Sequence, residues 1–277
     1  MITRRRRHSR GYILITVLWI GLGLLLAVSA YMATVREEAL SVRAEVAAVR
    51  AHALARSGLN LALADLGRIN RDQQITPRDG TPATVQMSEG VVTYRIFDEA
   101  GKIDVLRARQ SVIAPALVAI GEAEALDSFD AVNIAQTIET LVREQDGSIR
   151  SVYSALTNAG LSGETALAAS RYLTTLNFTQ AVNPLTAPRA VLAAIPGLGA
   201  SDVEDIILRR ETGRPMPILG AAALYLAEGS GPVFTIEAEA TLGTGGSALL
   251  RAQVAQQGLS FRGGLMRYEV LSVTVVR

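Results

Sequence analysis

Side chains able to do nucleophilic or acid–base chemistry are few and scattered. Histidine occurs twice, as His8 in an arginine cluster and as His52 in an Ala- and Leu-rich stretch, and cysteine is absent. A histidine-based triad would rest on His52 alone, and a thiol nucleophile, a disulfide framework and a cysteine metal site are excluded. The glycine-rich pieces EGSGP and GTGGS adjoin predicted strands but lack the following Lys-Ser/Thr that a P-loop places on phosphates, so they read as turns. Asp127 and Asp130 in ALDSFDAVN do not match a calcium loop and read as a capping pair near a helix start. No catalytic residue is assigned, and the chain is expected not to be an enzyme.

One spacing carries a sharper signal. In NPLTAPRAVLAAIPGLGASDVEDIILRR a helix starting near Thr186, with Pro188 in its first turn, leads to Pro196, Gly197, Leu198 and Gly199, and a second helix follows, capped by Ser201. This resembles a helix-hairpin-helix, which can hold DNA phosphates on the amides of its glycine turn. Asp202, Glu204 and Asp205 follow the turn and would repel phosphate, and Lys102 is the only lysine of the chain. A packing or partner-binding role fits the hairpin better than DNA.

The elements around these residues are legible in outline. From residue 12 to about 66 there is no proline, and helix formers dominate, so one long helix is expected. Leu40, Val46, Val49, Ala53, Leu54, Leu61 and Leu63 give its second half an apolar stripe for a globular domain to rest on. TVQM and VVTYRIFD read as strands around a turn at Ser88-Glu89-Gly90, and KIDVL follows a second turn as a third strand. From about residue 108 to 226 the pattern is helical: APALVAIGEAEAL, AVNIAQTIETLVRE, SVYSALTNAG, GETALAASRYLTTL, APRAVLAAI, SDVEDIILRRE and PILGAAALYLAE. Strands return at VFTIEAEATL, ALLRAQVAQQ and RYEVLSVTVV, the first with one buried and one polar face. The expected class is α+β: a long N-terminal helix on an antiparallel sheet, interrupted by a large helical insertion.

Charge is distributed unevenly. The 277 residues carry a net +1, but Arg4, Arg5, Arg6, Arg7 and Arg10 precede Gly11 with no acid among them. Beyond them 22 Lys/Arg face 26 Asp/Glu, so the body is mildly acidic and no general affinity for nucleic acid is expected. Residues 11–35 contain no charge, enough at about 1.5 Å per residue to cross a hydrocarbon layer of roughly 30 Å. The arginines ahead of that run predict a cytoplasmic N-terminus, with the rest of the chain across the membrane.

RGYILITVLWI looks like a type IV pilin-like leader, cut by prepilin peptidase after the glycine. That resemblance implies cleavage between Gly11 and Tyr12, methylation of Tyr12 as the new N-terminus, and retention of the apolar helix as an anchor. Four stretches, RGYILITVLWI, ARSGLNLALADL, FDEAGKIDV and VNPLTAPRAVLAAIPGL, in this order resemble the minor pseudopilin K family of bacterial type II secretion systems. Most pilin-like subunits carry Glu at the fifth mature position, which here is Thr16. In an apolar filament core that carboxylate offsets the α-amino group of an adjoining subunit, and an unpaired buried charge costs several kcal/mol. A neutral Thr16 therefore suits an end position. The family similarly lacks the Glu and carries a bulky helical domain, both associated with capping the pseudopilus tip.

The resemblance implies a minor pseudopilin that initiates or caps the periplasmic pseudopilus for protein export across the outer membrane. It implies partners of the I and J types, prepilin peptidase as processing enzyme, and a single-pass inner-membrane location. Its divisions here are a leader (1–11), a transmembrane half-helix (12–35), a periplasmic half-helix (36–66), a first part of the sheet (83–107), an inserted helical domain (108–230) and C-terminal strands (231–277). Family members often bind calcium through a Trp- and Asp-rich segment, but the only tryptophan here is Trp19. IETLVREQDGS offers Glu139, Glu144 and Asp146 without the dense acidic spacing, so no cofactor is expected, calcium stays open and no metal ligand is assigned. Two other readings stand beside this one: a membrane-anchored helix-hairpin-helix DNA-binding protein of competence type, and an exported protein cut after Val28-Ser29-Ala30 so that Tyr31 leads.

Overall fold

The computed structural model describes residues 10–68, 76–144, 149, 151–216, 220–259 and 266–276. A single helix, α1 (Arg10–Leu66), runs unbroken for 57 residues. No proline interrupts it, and it closes where the Gly67 amide donates to the Leu63 carbonyl at 3.0 Å. Its last third lies on an antiparallel sheet of five strands, ordered β1-β2-β5-β6-β7. These are β1 (Ala83–Gln86), β2 (Gly90–Asp98), β5 (Val233–Leu242), β6 (Ser247–Leu259) and β7 (Met266–Val275). The protein is thus α+β.

The helix seats on the sheet through small residues. Ala51, Leu54, Ala55, Leu59, Ala62 and Leu66 are buried against Val92, Tyr94 and Ile96 of β2, the inward face of β5, and Leu250, Ala252 and Val254 of β6. Contact is so close at Gly58 that a Cβ there would stand 2.3 Å from Val92 Cγ1. The expected stripe is therefore corrected. Of its residues Leu54 is buried and Leu63 partly buried, whereas Leu40, Val46, Val49, Ala53 and Leu61 are exposed. The sheet takes the face on which the small Ala51, Ala55, Gly58 and Ala62 permit close approach while Leu54, Leu59 and Leu66 fill the space beside them.

Strands β2 and β5 pair side by side, Ile96 opposite Ile236 and Asp98 opposite Phe234, although residues 99–232 separate them in sequence. The helical segment is therefore an insertion between two neighbouring strands, leaving and re-entering the sheet at one place. It contains α2 (Gln110–Ala123), α3 (Ala131–Glu144), α4 (Val152–Asn158), α5 (Gly163–Ala169), α6 (Arg189–Ala193) and α7 (Ala200–Thr212). A core of its own holds it together, with Val112, Ile113, Leu117 and Ile120 of α2 against Ile134 and Ile138 of α3 and Val191 and Leu192 of α6.

Three local expectations change. KIDVL does not join the main sheet: only β3 (Ile103–Asp104) is extended, and it pairs in parallel with β4 (Leu173–Thr174) inside the insertion. RYLTTL is correspondingly not helical, because α5 ends at Ala169 and the chain turns into β4. Strand β5 is covered on both faces near its start, with Thr235 and Glu237 buried beneath the insertion while Thr241 is exposed. Alternation had read those polar residues as solvent-facing, and a second layer of structure overrode it.

Candidate functional site

Geometry singles out the free part of α1. Of residues 14–50 only Ala47 is even partly covered, and the apolar ones among residues 14–35 include Leu18, Trp19, Leu25 and Tyr31, each about two-thirds exposed. Exposing so many large apolar side chains to water is unfavourable at about 25 cal/mol per Å², which a lipid layer would relieve. This is the one helix among the described residues long and apolar enough to cross a membrane. Thr16 lies exposed within that segment, three turns or less from the start of α1. Gly11 and Tyr12 fall in the helical backbone, whereas the arginine run, Arg4 to Arg7, and His8 lie outside the described residues. His52 is half-buried on α1, one residue past the point where the helix meets the sheet.

A buried polar joint fixes the insertion to the sheet. At the exit of β2, Asp98 accepts from the Ala100 amide at 2.9 Å and from the Gly231 amide at 3.2 Å, so one carboxylate clasps both connections. Burial raises the Asp98 pKa, against these hydrogen bonds and Arg78. Lys102 and Glu99, both buried, form an ion pair, and Glu99 also accepts from the Thr174 hydroxyl. Asp104 accepts from the Leu106 and Phe178 amides, each at 2.9 Å, and burial raises its pKa too. Asn177 donates to the Lys102 carbonyl at 3.0 Å and the Ala181 carbonyl at 2.9 Å.

Deeper in the joint, Glu237 of β5 takes Arg171 Nε of the insertion at 3.2 Å and Arg251 Nε of β6 at 3.1 Å. Burial acts to raise the Glu237 pKa, but Arg251 and Arg171 more than offset it and hold the carboxyl below its usual range. Beside the joint lies a cleft of about 430 Å³, between α4, α5 and the far face of β5, β6 and β7. Its charged lining, Glu99, Lys102 and Arg251, is already engaged in the ion pairs just described. The arrangement is one of rigidity: every charge in it has an internal partner, and none is left aimed at a reacting atom.

The Pro196, Gly197, Leu198, Gly199 hairpin is also committed internally. Helix α6 begins at Arg189, with Pro188 as its cap, rather than near Thr186. Gly199, not Ser201, caps α7, and its amide donates to Asp202 Oδ2 at 2.8 Å. A carboxylate thus sits where a phosphate would have to bind. Gly197, at φ +88°, turns against Ala221 and Ala222, which cover that side of the hairpin. Of the nearby cations, Arg189 pairs with Glu204, Arg209 with Asp205 and Arg210 with Asp79.

Of the other acids, Asp130 caps α3 by accepting from the Asn133 amide at 3.0 Å, and Asp127 makes no pair with it. Glu139 pairs with Arg143 on the exposed side of α3, Glu144 ends that helix, and Asp146 lies outside the described residues. Among the described residues no group of three or more His, Asp or Glu is placed to hold a metal ion.

Sequence reasoning missed the joint. Glu99, Lys102 and Glu237 had signals of a kind, since the single lysine stands three residues after an acid and Glu237 is one of two acids, with Glu239, in a strand of otherwise apolar and hydroxyl residues. Neither signal indicates burial without knowledge of the second layer.

No protein-family profile matches the chain, and no curated protein matches it. Among solved structures it is similar to a chain in the crystal structure of the GspK-GspI-GspJ complex from the enterotoxigenic Escherichia coli type 2 secretion system. The identity is 14%, the TM-score 0.43, and the match covers 87% of this chain and 99% of the other.

Proposed function

We propose that the protein is a non-enzymatic minor pseudopilin of a type II secretion system, anchored in the inner membrane and acting at the start or tip of the periplasmic pseudopilus. The observation that carries the reading is α1 itself. One continuous helix joins an exposed, uncharged, apolar half to a half seated on an antiparallel sheet, and it begins beside an Arg-rich leader that ends in Gly11. Cleavage after Gly11 would leave that anchor intact with Tyr12 at its head. The apolar half would then pack among the helices of I- and J-type minor pseudopilins, leaving the insertion projecting from the sheet.

Thr16 gives the reading its direction. A subunit with no carboxylate at that position has nothing to offset the α-amino group of a neighbour stacked against it, so addition on that side is disfavoured by the cost of an unpaired buried charge. The internally hydrogen-bonded joint supports a rigid cap: the insertion cannot swing without opening the Glu237 and Asp98 contacts.

The test is the mass-spectrometric N-terminus of the protein recovered from membranes of cells with active prepilin peptidase. N-methylated Tyr12 is expected. Met1 would show that the leader is not processed, and Tyr31 would show a secretory signal instead; either ends the pseudopilin reading.

A further inference from the structure

The face of α1 that the sheet rejects has a pattern of its own. Val35, Ala39, Val42, Val46, Val49 and Ala53 follow one another at alternating steps of four and three residues, the period of a coiled-coil seam. All six are exposed; Val42 is 59% and Val49 66% open. They lie opposite the Ala51, Ala55, Gly58 and Ala62 face that seats on the sheet, so a helix laid along them meets no part of the protein's own sheet. Past Ala53 the seam reaches Arg56 and Asn60 and stops being apolar.

The charges flanking this seam are ordered. With Ala39, Val46 and Ala53 at position a and Val35, Val42 and Val49 at d, every e position is arginine (Arg36, Arg43, Arg50) and the two g positions ahead of Arg43 and Arg50 are Glu38 and Glu45. In a parallel pair each g side chain meets the e side chain five residues on in its partner, so Glu38 would face Arg43 and Glu45 would face Arg50, twice over by symmetry. In an antiparallel pair glutamate would face glutamate and arginine arginine. A membrane anchor at the N-terminal end allows only the parallel arrangement, so charge and anchoring agree. Among the described residues none of these five side chains is engaged in an ion pair within the chain.

We infer that residues 35–53 of α1 are a self-pairing surface whose occupant is the same stretch of a second copy of this chain, parallel and in register. The inference rests on the anchoring part of the proposed function and on nothing else in it. Two of the three a positions are alanine, so the seam buries little and pairing in dilute solution would be weak. Anchoring in a membrane supplies the effective concentration that makes it form.

The chain has no cysteine, which allows single-cysteine scanning without a background substitution. The full chain is expressed in membranes carrying Val42→Cys, Val46→Cys or Val49→Cys on the seam, or Leu40→Cys, Ala44→Cys or Ala48→Cys off it, and is oxidised and resolved on non-reducing gels. Disulfide dimer is expected at the three seam positions and not at the others. Glu38→Arg with Glu45→Arg should lower the yield roughly tenfold, because four attractions become repulsions. Mixing that copy with one carrying Arg43→Glu and Arg50→Glu should restore it. Membrane-bound protein that cross-links equally at all six positions, or ignores the charge reversal, overturns the pairing and leaves the anchoring standing. Protein absent from the membrane fraction overturns both.

Discussion

Replacing Glu237 by Gln tests whether the joint is held by charge. The amide keeps the shape of the side chain but removes the carboxylate that Arg171 and Arg251 share, and Glu237 is 1% exposed. Breaking a fully buried pair by removing one partner costs about 3–5 kcal/mol. Here the arginine side chains are 31% and 17% exposed and can recover some solvation, which lowers the expected loss to about 2–3 kcal/mol. The effect must also depend on pH. The Glu237 carboxyl is held below its reference value of 4.5 in the folded state, so its contribution is complete above that value and is lost as pH falls through the depressed native one. Asp98 and Asp104, whose pKa values burial raises, act in the opposite sense but are common to both proteins and cancel from the difference. Urea unfolding of wild type and Glu237→Gln at a series of pH values between about 7 and 3 reads both quantities. The gap should be widest near neutrality and narrow as the wild-type carboxyl takes up its proton. A gap under about 1 kcal/mol at neutral pH, or one of constant size across the series, would refute the charge argument.

Three other outcomes are expected. Lys102→Ala leaves Glu99 buried with the Thr174 hydroxyl as its remaining partner, and should cost about 3–5 kcal/mol in thermal or urea unfolding, more than Arg143→Ala on the exposed side of α3, which should cost about 0.5 kcal/mol or less. Gly58→Ala gains about 1 kcal/mol of helix propensity but forces a methyl to 2.3 Å from Val92 Cγ1, an overpacking cost of about 1–3 kcal/mol, so a net loss near 1 kcal/mol should appear in the urea midpoint; a gain would show that the helix lifts freely from the sheet. Asp202→Ala frees the Gly199 amide, should cost about 1 kcal/mol of stability, and should confer no salt-dependent binding to duplex DNA in a fluorescence titration.

The sequence by itself determined the elements whose cause is local. An uninterrupted run of helix formers without proline fixed α1 to within two residues at its start, and the loss of charge over residues 11–35 marked the half left bare of protein. Alternation located β2, β5, β6 and β7, and the change of period after residue 108 marked the insertion. Tertiary structure decided what depends on a partner distant in sequence. Both faces of α1 carry apolar residues at helical spacing, and only the sheet, by favouring Ala51, Ala55, Gly58 and Ala62, settled which face is inside. Ile103 and Asp104 are extended because Leu173 and Thr174 lie beside them, and no periodicity within KIDVL could distinguish that pairing from a place in the main sheet. Glu237 looks like any outward residue of an amphipathic strand until the insertion, entering and leaving between β2 and β5, closes over it with Arg171. Periodicity shows that an element has faces, and only the neighbours that fold against it decide which face meets water.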